Sequence, residues 1–431
     1  MSLTPKKYRP RLLDATVERK LRSFGAIEVA GTKFCGKTWT SLAHSESIVH
    51  IDDDAIRQAV ELDVSLALEG KTPHTIDKWQ DIPKIWDAVR RSIDESGNAK
   101  GQFILTGSST VDKTKVSHSG AGRIATLHMR PMSLFESGYS NGNVSLKGLF
   151  KGEFHSGQVQ TSARAIAKAI CQGGWPAACE CDDDLVGDIP AQYLDALFKV
   201  SAAKRGLNCQ TVRRVAVSLA RNIGKPVTYK TLFLDTFEES DAEKVNSSVA
   251  QQKLEPYINF LKEQYALEDQ NGWDAPIKSK SRVRTKPKRS FVDPSLPASL
   301  LGMSPERMLM EMQVFGTLFE ELCLRDVRIY ASALQQTPEP SVYYYSDADG
   351  LEVDIIVELA NGQWGAFEVK LSEDKVPQAE KNLLRLKKKI AANPAAHNQE
   401  PAFLATLVGM ASFYRQLPSG VYVIPVTSLG V

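Results

Sequence analysis

The sequence predicts a multidomain α/β protein with a parallel sheet near its N-terminus and a second α/β region near its C-terminus. Three observations support this prediction. A short apolar strand, a glycine-rich loop and a helical stretch follow one another over residues 25–45, a mostly helical pattern covers 196–275, and three strands separated by turns cover 343–370. The length of 431 residues suggests roughly two to four domains.

We predict four segments along the chain: a nucleotide-binding core at 1–130, a small helical lid at 131–195, a winged-helix-like region at 196–298 and the second α/β region at 299–431. The third segment is interpreted as winged-helix-like because three helical patterns precede a pair of strands, which is a common DNA-binding shape.

The composition is that of a soluble globular protein, with 42% hydrophobic and 24% charged residues. No apolar run approaches the roughly 18–20 residues that span a bilayer, and the charged N-terminus lacks the apolar centre of a signal peptide. The six cysteines show no metal-ligand spacing. We therefore expect a cytoplasmic protein with free thiols and no membrane partner.

The strongest signal is a phosphate-binding loop that matches the pattern G-x-x-x-x-G-K-[ST]. Its residues are Gly31, Thr32, Lys33, Phe34, Cys35, Gly36, Lys37 and Thr38. The two glycines allow successive N–H groups to point at phosphate oxygens, while Lys37 is placed to reach the β- and γ-phosphates and the Thr38 hydroxyl to bind Mg²⁺. The loop follows a strand and opens a helix, so we predict binding of ATP with Mg²⁺.

Further groups of this site are expected at the ends of neighbouring strands. Asp77 ends a short strand and is the candidate acid for the metal. Ser108 follows another strand and is placed to sense the γ-phosphate. Arg123, in a glycine-rich loop, has three interpretations that the sequence leaves open: contact with nucleotide in its own chain, contact across a subunit boundary, or a plain surface position.

A basic segment lies between residues 278 and 289, where every second position is Lys or Arg. In an extended chain Lys278, Lys280, Arg282 and Arg284 point to one face and are able to follow a phosphate backbone of DNA or RNA. The alternative is a solvated edge strand whose charges discourage aggregation. No aromatic residues interleave to stack on bases, which favours the alternative.

The strands of 343–370 carry acidic residues whose pairing depends on the second turn. A two-residue Asn-Gly turn sets Asp354 opposite Val369, whereas a three-residue loop with Gly362 in the left-handed region pairs Leu359 with Gln363. The second register puts Asp354 across from Glu368 and Glu352 across from Lys370.

Asp354, Glu368 and Lys370 resemble the D…E-x-K motif of restriction-endonuclease-like enzymes. The resemblance implies that the two carboxylates hold Mg²⁺ and that the lysine positions the attacking water. Glu320, on a predicted helix over 316–328, resembles the additional acid of some members. The alternative is a degenerate nuclease fold in which Glu352 and Lys370 form a plain salt bridge.

Most of the chain resembles a group of prokaryotic AAA-type ATPases that carry a C-terminal domain of unknown function, number 4143. The motifs that carry the resemblance are GTKFCGKT, IDKWQDIPKIWDAVRR, FILTGSS, SGAGR, MRPMSLFESG, GGWPA, SFVDPSL, GTLFEELCLRDVRIYA and LEVDIIVE, in that order. The resemblance implies ATP binding more firmly than any biological role.

One position departs from the family pattern, which reads Asp-Glu-Trp-Gln where this chain has Asp77-Lys78-Trp79-Gln80. A charged lysine cannot polarise the attacking water, and we expect its ammonium near the phosphates, where it favours holding ATP. Loss of a general base costs about a hundred- to ten-thousand-fold in rate, although Glu28 or an acid of Asp52–Asp54 is placed to substitute.

These observations favour an ATP-gated switch with slow hydrolysis, coupled to the nuclease-like C-terminal region. Two alternatives stay open: an ATP-licensed, metal-dependent nuclease acting on DNA or RNA, and a scaffold that binds DNA or a protein partner through the basic segment. Whether the chain is an enzyme, and its oligomeric state, are not determined by the sequence.

Overall fold

The computed structural model describes residues 3–108, 119–182, 185–237, 246–276, 279, 282, 285–396 and 400–431. These residues divide into two compact units. Unit 1 contains the chain up to Pro131 together with Leu261–Ala266, and unit 2 contains Met132–Phe260 and the chain from Leu267 onwards.

Unit 1 is built on a parallel sheet with strand order β2-β3-β4-β1-β5. Its strands are β1 (Ala26–Gly31), β2 (Ser47–His50), β3 (His74–Asp77), β4 (Phe103–Gly107) and β5 (Ile124–Met129). Its helices are α1 (Asp14–Leu21), α2 (Lys37–Ala43), α3 (Asp54–Leu62) and α4 (Lys84–Glu95). The predicted parallel α/β sheet is therefore confirmed.

The alternation of side chains along β1 explains why both faces of this sheet are covered. Ala26 faces a core that contains Trp79 and Trp86, whereas Ile27 and Val29 belong to a separate buried cluster on the other face. Because the strands are parallel, their carboxyl ends meet at one edge of the sheet. The glycine-rich loop after β1 lies at that edge.

Unit 2 is predominantly helical up to residue 332. Its helices are α5 (Leu134–Ser137), α6 (Leu146–Lys151), α7 (Ala163–Gln172), α8 (Asp188–Asp195), α9 (Cys209–Arg221), α10 (Tyr229–Thr236), α11 (Ser247–Glu263), α12 (Ser295–Leu300), α13 (Pro305–Met310) and α14 (Met312–Ser332). α9, α10 and α11 precede an antiparallel pair of strands, β8 (Leu267–Gln270) and β9 (Lys288–Phe291). The winged-helix interpretation of this region stays a prediction.

A mixed sheet of seven strands forms the rest of unit 2, in the order β10-β11-β12-β13-β15-β14-β7. Its strands are β7 (Gly157–Gln158), β10 (Ser341–Ser346), β11 (Glu352–Glu358), β12 (Trp364–Ser372), β13 (Phe403–Met410), β14 (Phe413–Gln416) and β15 (Tyr422–Pro425). A separate pair of short parallel strands is formed by β6 (Val144–Ser145) and β16 (Leu429–Gly430). Helix α15 (Val376–Ala391) connects β12 to the parallel β13. The segment predicted as a lid thus supplies β7 to this sheet.

A buried ion-pair cluster on α14 joins distant parts of unit 2. Arg325 donates to Asp293 at 2.9 Å and to Asp326 at 2.7 Å, and all three side chains are at most 2% exposed. Asp293 also accepts from the Gly174 N–H at 2.9 Å, and Asp326 from the Leu134 N–H at 3.0 Å. We call these three residues the Arg325 cluster.

Helix α14 is the longest helix in the described part of the chain, yet it carries Arg325, Asp326 and Arg328 in its interior. Within the described residues, no helix combines the length and the apolar character that crossing a bilayer requires.

Candidate functional site

The phosphate-binding loop has the backbone conformation that its sequence pattern predicts. Gly36 has φ 104° and Phe34 has φ 64°, both in the left-handed region that turns the chain between β1 and α2. A Cβ atom placed on Gly31 would lie 2.1 Å from the carbonyl oxygen of Met129, so only glycine fits there. The loop between Gly31 and Lys37 therefore depends on its glycines.

Lys37 is buried, and its ammonium donates to the carbonyl oxygen of Thr32 at 2.6 Å. Burial lowers the pKa of Lys37, an effect opposed by the nearby Asp77. The ammonium is therefore held inside the loop by one of the loop's own carbonyl groups, and its contact with phosphate stays a prediction.

The predicted metal-binding pair is brought together at the edge of the sheet. The Thr38 hydroxyl donates to Asp77 Oδ1 at 3.0 Å, and Asp77 is 4% exposed. Thr106, at the end of β4, hydrogen-bonds the same carboxylate and also accepts from the Lys78 N–H at 3.2 Å. The sequence analysis missed Thr106, because a single threonine in a strand gives no signal.

Lys78 pairs with an acidic side chain that follows a neighbouring strand. Its backbone has φ 61°, and its ammonium forms an ion pair with Asp52, which follows β2. The hydrogen bond from Lys78 lowers the pKa of Asp52. The lysine is therefore paired within unit 1, and an ammonium beside phosphate stays a prediction.

Ser108 and Arg123 lie at opposite edges of the sheet. Ser108 directly follows β4 and so lies at the same edge as Asp77. Arg123 precedes β5, accepts a hydrogen bond from the Ala26 N–H at the start of β1, and forms an ion pair with Asp94 at 2.8 Å. The predicted contact of Arg123 with the nucleotide of its own chain is therefore wrong. Arg123 lies where the parallel strands begin, whereas the phosphate-binding loop lies where they end. Contact with a neighbour's nucleotide stays a prediction.

The residues before α1 support the phosphate-binding loop, which the sequence analysis did not predict. Arg11 is buried and donates to the carbonyl oxygens of Cys35 at 2.8 Å and Arg130 at 2.9 Å. The Tyr8 hydroxyl donates to Asp14 at 2.6 Å and accepts from the hydroxyl of Thr40, on α2, at 3.2 Å. The segment is therefore hydrogen-bonded both to the loop and to the helix that the loop opens.

The C-terminal carboxylates follow the second of the two registers predicted from the turn. The Leu359 N–H donates to the Gln363 carbonyl at 2.8 Å, and Gly362 has φ 84°. Ile355 pairs with Phe367, so Asp354 and Glu368 are the next opposed positions. The three-residue loop is confirmed, and the two acids share one side of the sheet.

Lys370 lies within ion-pair distance of both of these acids. Its ammonium lies 2.6 Å from Glu368 and 3.5 Å from Asp354. Asp354 also accepts from the Val369 N–H at 2.8 Å, and Glu368 from the Asn382 amide of α15 at 3.0 Å. Asn382 is a site residue that the sequence analysis missed, because its helix follows the motif.

Burial controls the protonation of this cluster. It raises the pKa of Glu368 to about 7 and that of Glu320 to about 8, with the charge of Asp354 adding to both shifts. Burial opposes protonation of Lys370, but the charges of Asp354 and Glu368 raise its pKa overall. Glu320 is thus brought into the electrostatic environment of Asp354 and Lys370, as its motif position predicts.

Glu352 does not form the salt bridge with Lys370 that belonged to the alternative of a degenerate nuclease fold. It forms an ion pair with Lys288 of β9, whose side chain is only 6% exposed and whose ammonium lies 4.8 Å from the centre of the Tyr344 ring. This part of the alternative is wrong, because β9, distant in sequence, supplies the nearer cation.

The basic segment is only partly described, since Lys278, Lys280 and Arg284 lie outside the described residues. Arg282 forms a bidentate ion pair with Glu358, at 2.8 and 3.0 Å, and its guanidinium lies 5.8 Å from the centre of the Trp273 ring. Arg282 is therefore neutralised within unit 2, and its predicted contact with a nucleic-acid phosphate is wrong. For the other three residues the contact stays a prediction.

Three family matches cover most of the chain. Residues 23–137 match the AAA domain, 163–307 match the domain of unknown function DUF8612, and 315–429 match the domain of unknown function DUF4143. No sequence among the curated proteins matches the chain.

Two solved structures show distant similarity. One is the Walker-type ATPase PABY2304 of Pyrococcus abyssi, with 10% identity and a TM-score of 0.41, covering 69% of this chain and 99% of that one. The other is the ORC1 protein of Aeropyrum pernix in complex with DNA, with 11% identity and a TM-score of 0.28, covering 71% of this chain and 97% of that one.

Proposed function

Because the chain combines an AAA-type P-loop ATPase domain at 23–137 with a DUF4143 domain at 315–429, we propose that it binds Mg·ATP and uses the bound nucleotide mainly as a conformational signal to its C-terminal region. One observation supports this most directly. The complete phosphate-binding loop and the Thr38–Asp77 pair stand beside Lys78, at the position where the resemblance expects a glutamate.

The residues of the loop fit a nucleoside triphosphate. Lys37 donates to the carbonyl oxygen of Thr32, and a phosphate oxygen is the stronger acceptor for the same ammonium. Thr38 and Asp77 offer a hydroxyl and a carboxylate oxygen 3.0 Å apart, which suits Mg²⁺ held partly through water. Bound Mg²⁺ supplies positive charge to the β- and γ-phosphates.

Slow hydrolysis follows from the groups near Asp77. Lys78 carries no basic lone pair while it is charged, and it is paired with Asp52. Glu28, the alternative base, accepts hydrogen bonds from Trp79 at 3.2 Å and from Thr126 at 2.9 Å, so both of its oxygens are already engaged. We infer that neither Glu28 nor Asp52 activates water as the glutamate of the family pattern does.

Paired measurements of ATP affinity and phosphate release test this function. The natural protein should bind ATP with little turnover, Lys37→Ala should lose binding, and Lys78→Glu should gain turnover by about a hundredfold or more. Unchanged binding in Lys37→Ala would exclude the loop as the ATP site. Brisk turnover in the natural protein, removed by Glu28→Gln, would assign the base to Glu28.

A second candidate function is a metal-dependent nuclease, licensed by ATP, that acts on DNA or RNA. The register that opposes Asp354 and Glu368, with Lys370 between them and Glu320 nearby, supports it. Such carboxylates suit a divalent metal, and a lysine beside them is able to position water. Incubation of plasmid or RNA with Mg²⁺ or Mn²⁺ and ATP tests this candidate. Cleavage that persists in Asp354→Ala would exclude this site.

A further inference from the structure

We propose that His50, Asp52 and Asp77 form a binding site for a divalent transition-metal ion, with Mn²⁺ as the representative, beside the phosphate-binding loop. The inference deepens the proposed ATP-binding function and rests on it, because it names the class of metal that accompanies the nucleotide. It departs from the expectation of Mg²⁺ in one respect: an imidazole belongs to the ligand set.

The topology of unit 1 places the three residues together. β2 and β3 are parallel neighbours, and the last residues of the two strands, His50 and Asp77, are register partners. Asp52 follows β2 by two positions. In the described part of the chain, this is the one trio of His, Cys, Asp or Glu residues whose ligand atoms all lie within 4.8 Å of one another.

The separation of the ligand atoms suits a shared metal ion. His50 Nδ1 lies 3.3 Å from Asp77 Oδ2. Two ligands bound to one ion at about 2.1 Å stand about 3.0 Å apart in octahedral and about 3.4 Å apart in tetrahedral coordination. The nitrogen and the oxygen therefore need little movement to bind the same ion.

The side of Asp77 that faces His50 differs from the side that faces Thr38. Oδ1 accepts the hydrogen bond of Thr38 at 3.0 Å, whereas Oδ2 is directed to His50. The imidazole of His50 is half exposed, so an ion reaches it from solvent. One carboxylate thus connects the predicted nucleotide-metal position with the imidazole.

The chemistry of the donors determines which metal is preferred. Mg²⁺ demands oxygen ligands in near-ideal octahedral geometry and gives up its water reluctantly. Transition ions accept imidazole readily, and their affinity for mixed nitrogen and oxygen sites rises along the first row. A site with one imidazole and two carboxylates should therefore bind Mn²⁺ at least about tenfold more tightly than Mg²⁺.

Lys78 is a competing cation at this site. Its ammonium forms an ion pair with Asp52, and both side chains are more than two-fifths exposed. A metal ion that binds Asp52 must displace this ammonium. Because an exposed ion pair is weak, we expect removal of the charge in Lys78→Met to strengthen Mn²⁺ binding about two- to tenfold.

Electron paramagnetic resonance of Mn²⁺ bound to the full chain without nucleotide tests the proposal. Spin-echo modulation reports a directly coordinated ¹⁴N nucleus, which a carboxylate-only site does not produce. We expect this nitrogen coupling in the natural protein, its loss in His50→Ala, and its retention in His155→Ala, which replaces an exposed histidine of unit 2. Coupling that survives in His50→Ala would overturn the proposal.

The C-terminal carboxylates also offer a place for Mn²⁺, so the measurement is repeated in Asp354→Asn. The proposed site keeps its nitrogen signal in this variant, and titration with Mg²⁺ should displace Mn²⁺ only at a concentration at least about tenfold higher. Loss of the nitrogen signal in Asp354→Asn, or equal competition by Mg²⁺, would contradict the proposal.

The outcome is separable from that of the ATP-binding function. Nitrogen coupling in a protein that fails to bind ATP would establish the metal site and remove its link with nucleotide. ATP binding that depends on Lys37 but shows no nitrogen coupling would overturn the metal site and leave the nucleotide function intact.

Discussion

Lysine–carboxylate pairs occur in both candidate sites, but the pKa of the carboxyl group moves in opposite directions. Asp52, paired with Lys78, has a side chain that is 41% exposed, and the hydrogen bond from Lys78 lowers its pKa. Glu368, paired with Lys370, is 2% exposed, and burial raises its pKa to about 7 despite the nearby ammonium. Each carboxylate has an ammonium beside it, so burial, with the charge of Asp354 added, determines the opposite direction at Glu368.

The two sites also differ in which parts of the chain supply their residues. The phosphate-binding loop presents its groups from successive residues after one strand. The carboxylate cluster takes Asp354, Glu368 and Lys370 from two antiparallel strands, and Glu320 from α14. Leaving a buried charge unpaired costs far more free energy than leaving an exposed charge unpaired. Variants that remove one partner of a buried ion pair in unit 2 should therefore reduce stability more than variants that remove one partner of an exposed pair.

The largest effect is expected from Arg325→Ala, which leaves Asp293 and Asp326 buried without their cation. Loss of one partner of a buried pair costs about 3–5 kcal/mol in the free energy of unfolding. Urea unfolding followed by tryptophan fluorescence and circular dichroism measures this loss. ATP binding by unit 1 should persist, because the cluster lies in unit 2.

The control for Arg325→Ala is Arg164→Ala, which removes an ion pair with Glu306 whose side chains are 77% and 63% exposed. This change should cost less than about 1 kcal/mol. If the two variants lose the same free energy, burial is not what distinguishes these ion pairs.

An effect of intermediate size is expected when Glu321 is replaced, and it is a change in how the free energy of unfolding depends on pH. Glu321 is 4% exposed, one of its carboxylate oxygens lacks a hydrogen-bond partner, and burial raises its pKa to about 8. Since the pKa of an unfolded glutamate is about 4.3, the folded state holds the proton more tightly. The stabilisation that comes from this tighter proton binding is fully present below pH about 4 and is lost as the pH rises through about 8.

Glu321→Gln should therefore raise the free energy of unfolding at pH 8.5 by about 1–3 kcal/mol and flatten its decline above pH 5. Thermal unfolding in metal-free buffer measures this change, at about 2–4 °C per kcal/mol. The exposed Glu306→Gln is the matched control and should leave the pH profile unchanged. A variant that is no more stable than the natural protein at pH 8.5 would contradict the role of burial.

The smallest effect is expected from Arg11→Ala, which frees the Cys35 carbonyl of the phosphate-binding loop. The loop glycines still define the turn, so ATP affinity should fall only about three- to tenfold, equivalent to about one hydrogen bond. Isothermal titration measures the affinity, with the exposed Lys6→Ala as control. An equal loss in both variants would indicate a general charge effect rather than support of the loop.

The sequence predicted those parts of the sites that depend on local backbone conformation or on one strand pair. The phosphate-binding loop, the Thr38–Asp77 pair and the opposition of Asp354 to Glu368 follow from glycine positions and from the two-residue period of strands. It did not predict His50 as the neighbour of Asp77, since that contact depends on which strands are adjacent.

The ion-pair partners of Lys78 and Arg282 were not predicted from the sequence. The two cations pair with Asp52 and Glu358. Charged side chains are long, and they pair with the nearest acid that folding places within reach. Periodicity within a segment carries no information on that choice.

The sequence by itself determined that this chain has a phosphate-binding loop and an α/β architecture, because glycine conformation and strand–helix order are local properties of the backbone. Only the tertiary structure decided how the charges of both sites are balanced. That balance depends on burial and on distances between segments far apart in sequence, and both arise only when the sheets and helices pack together.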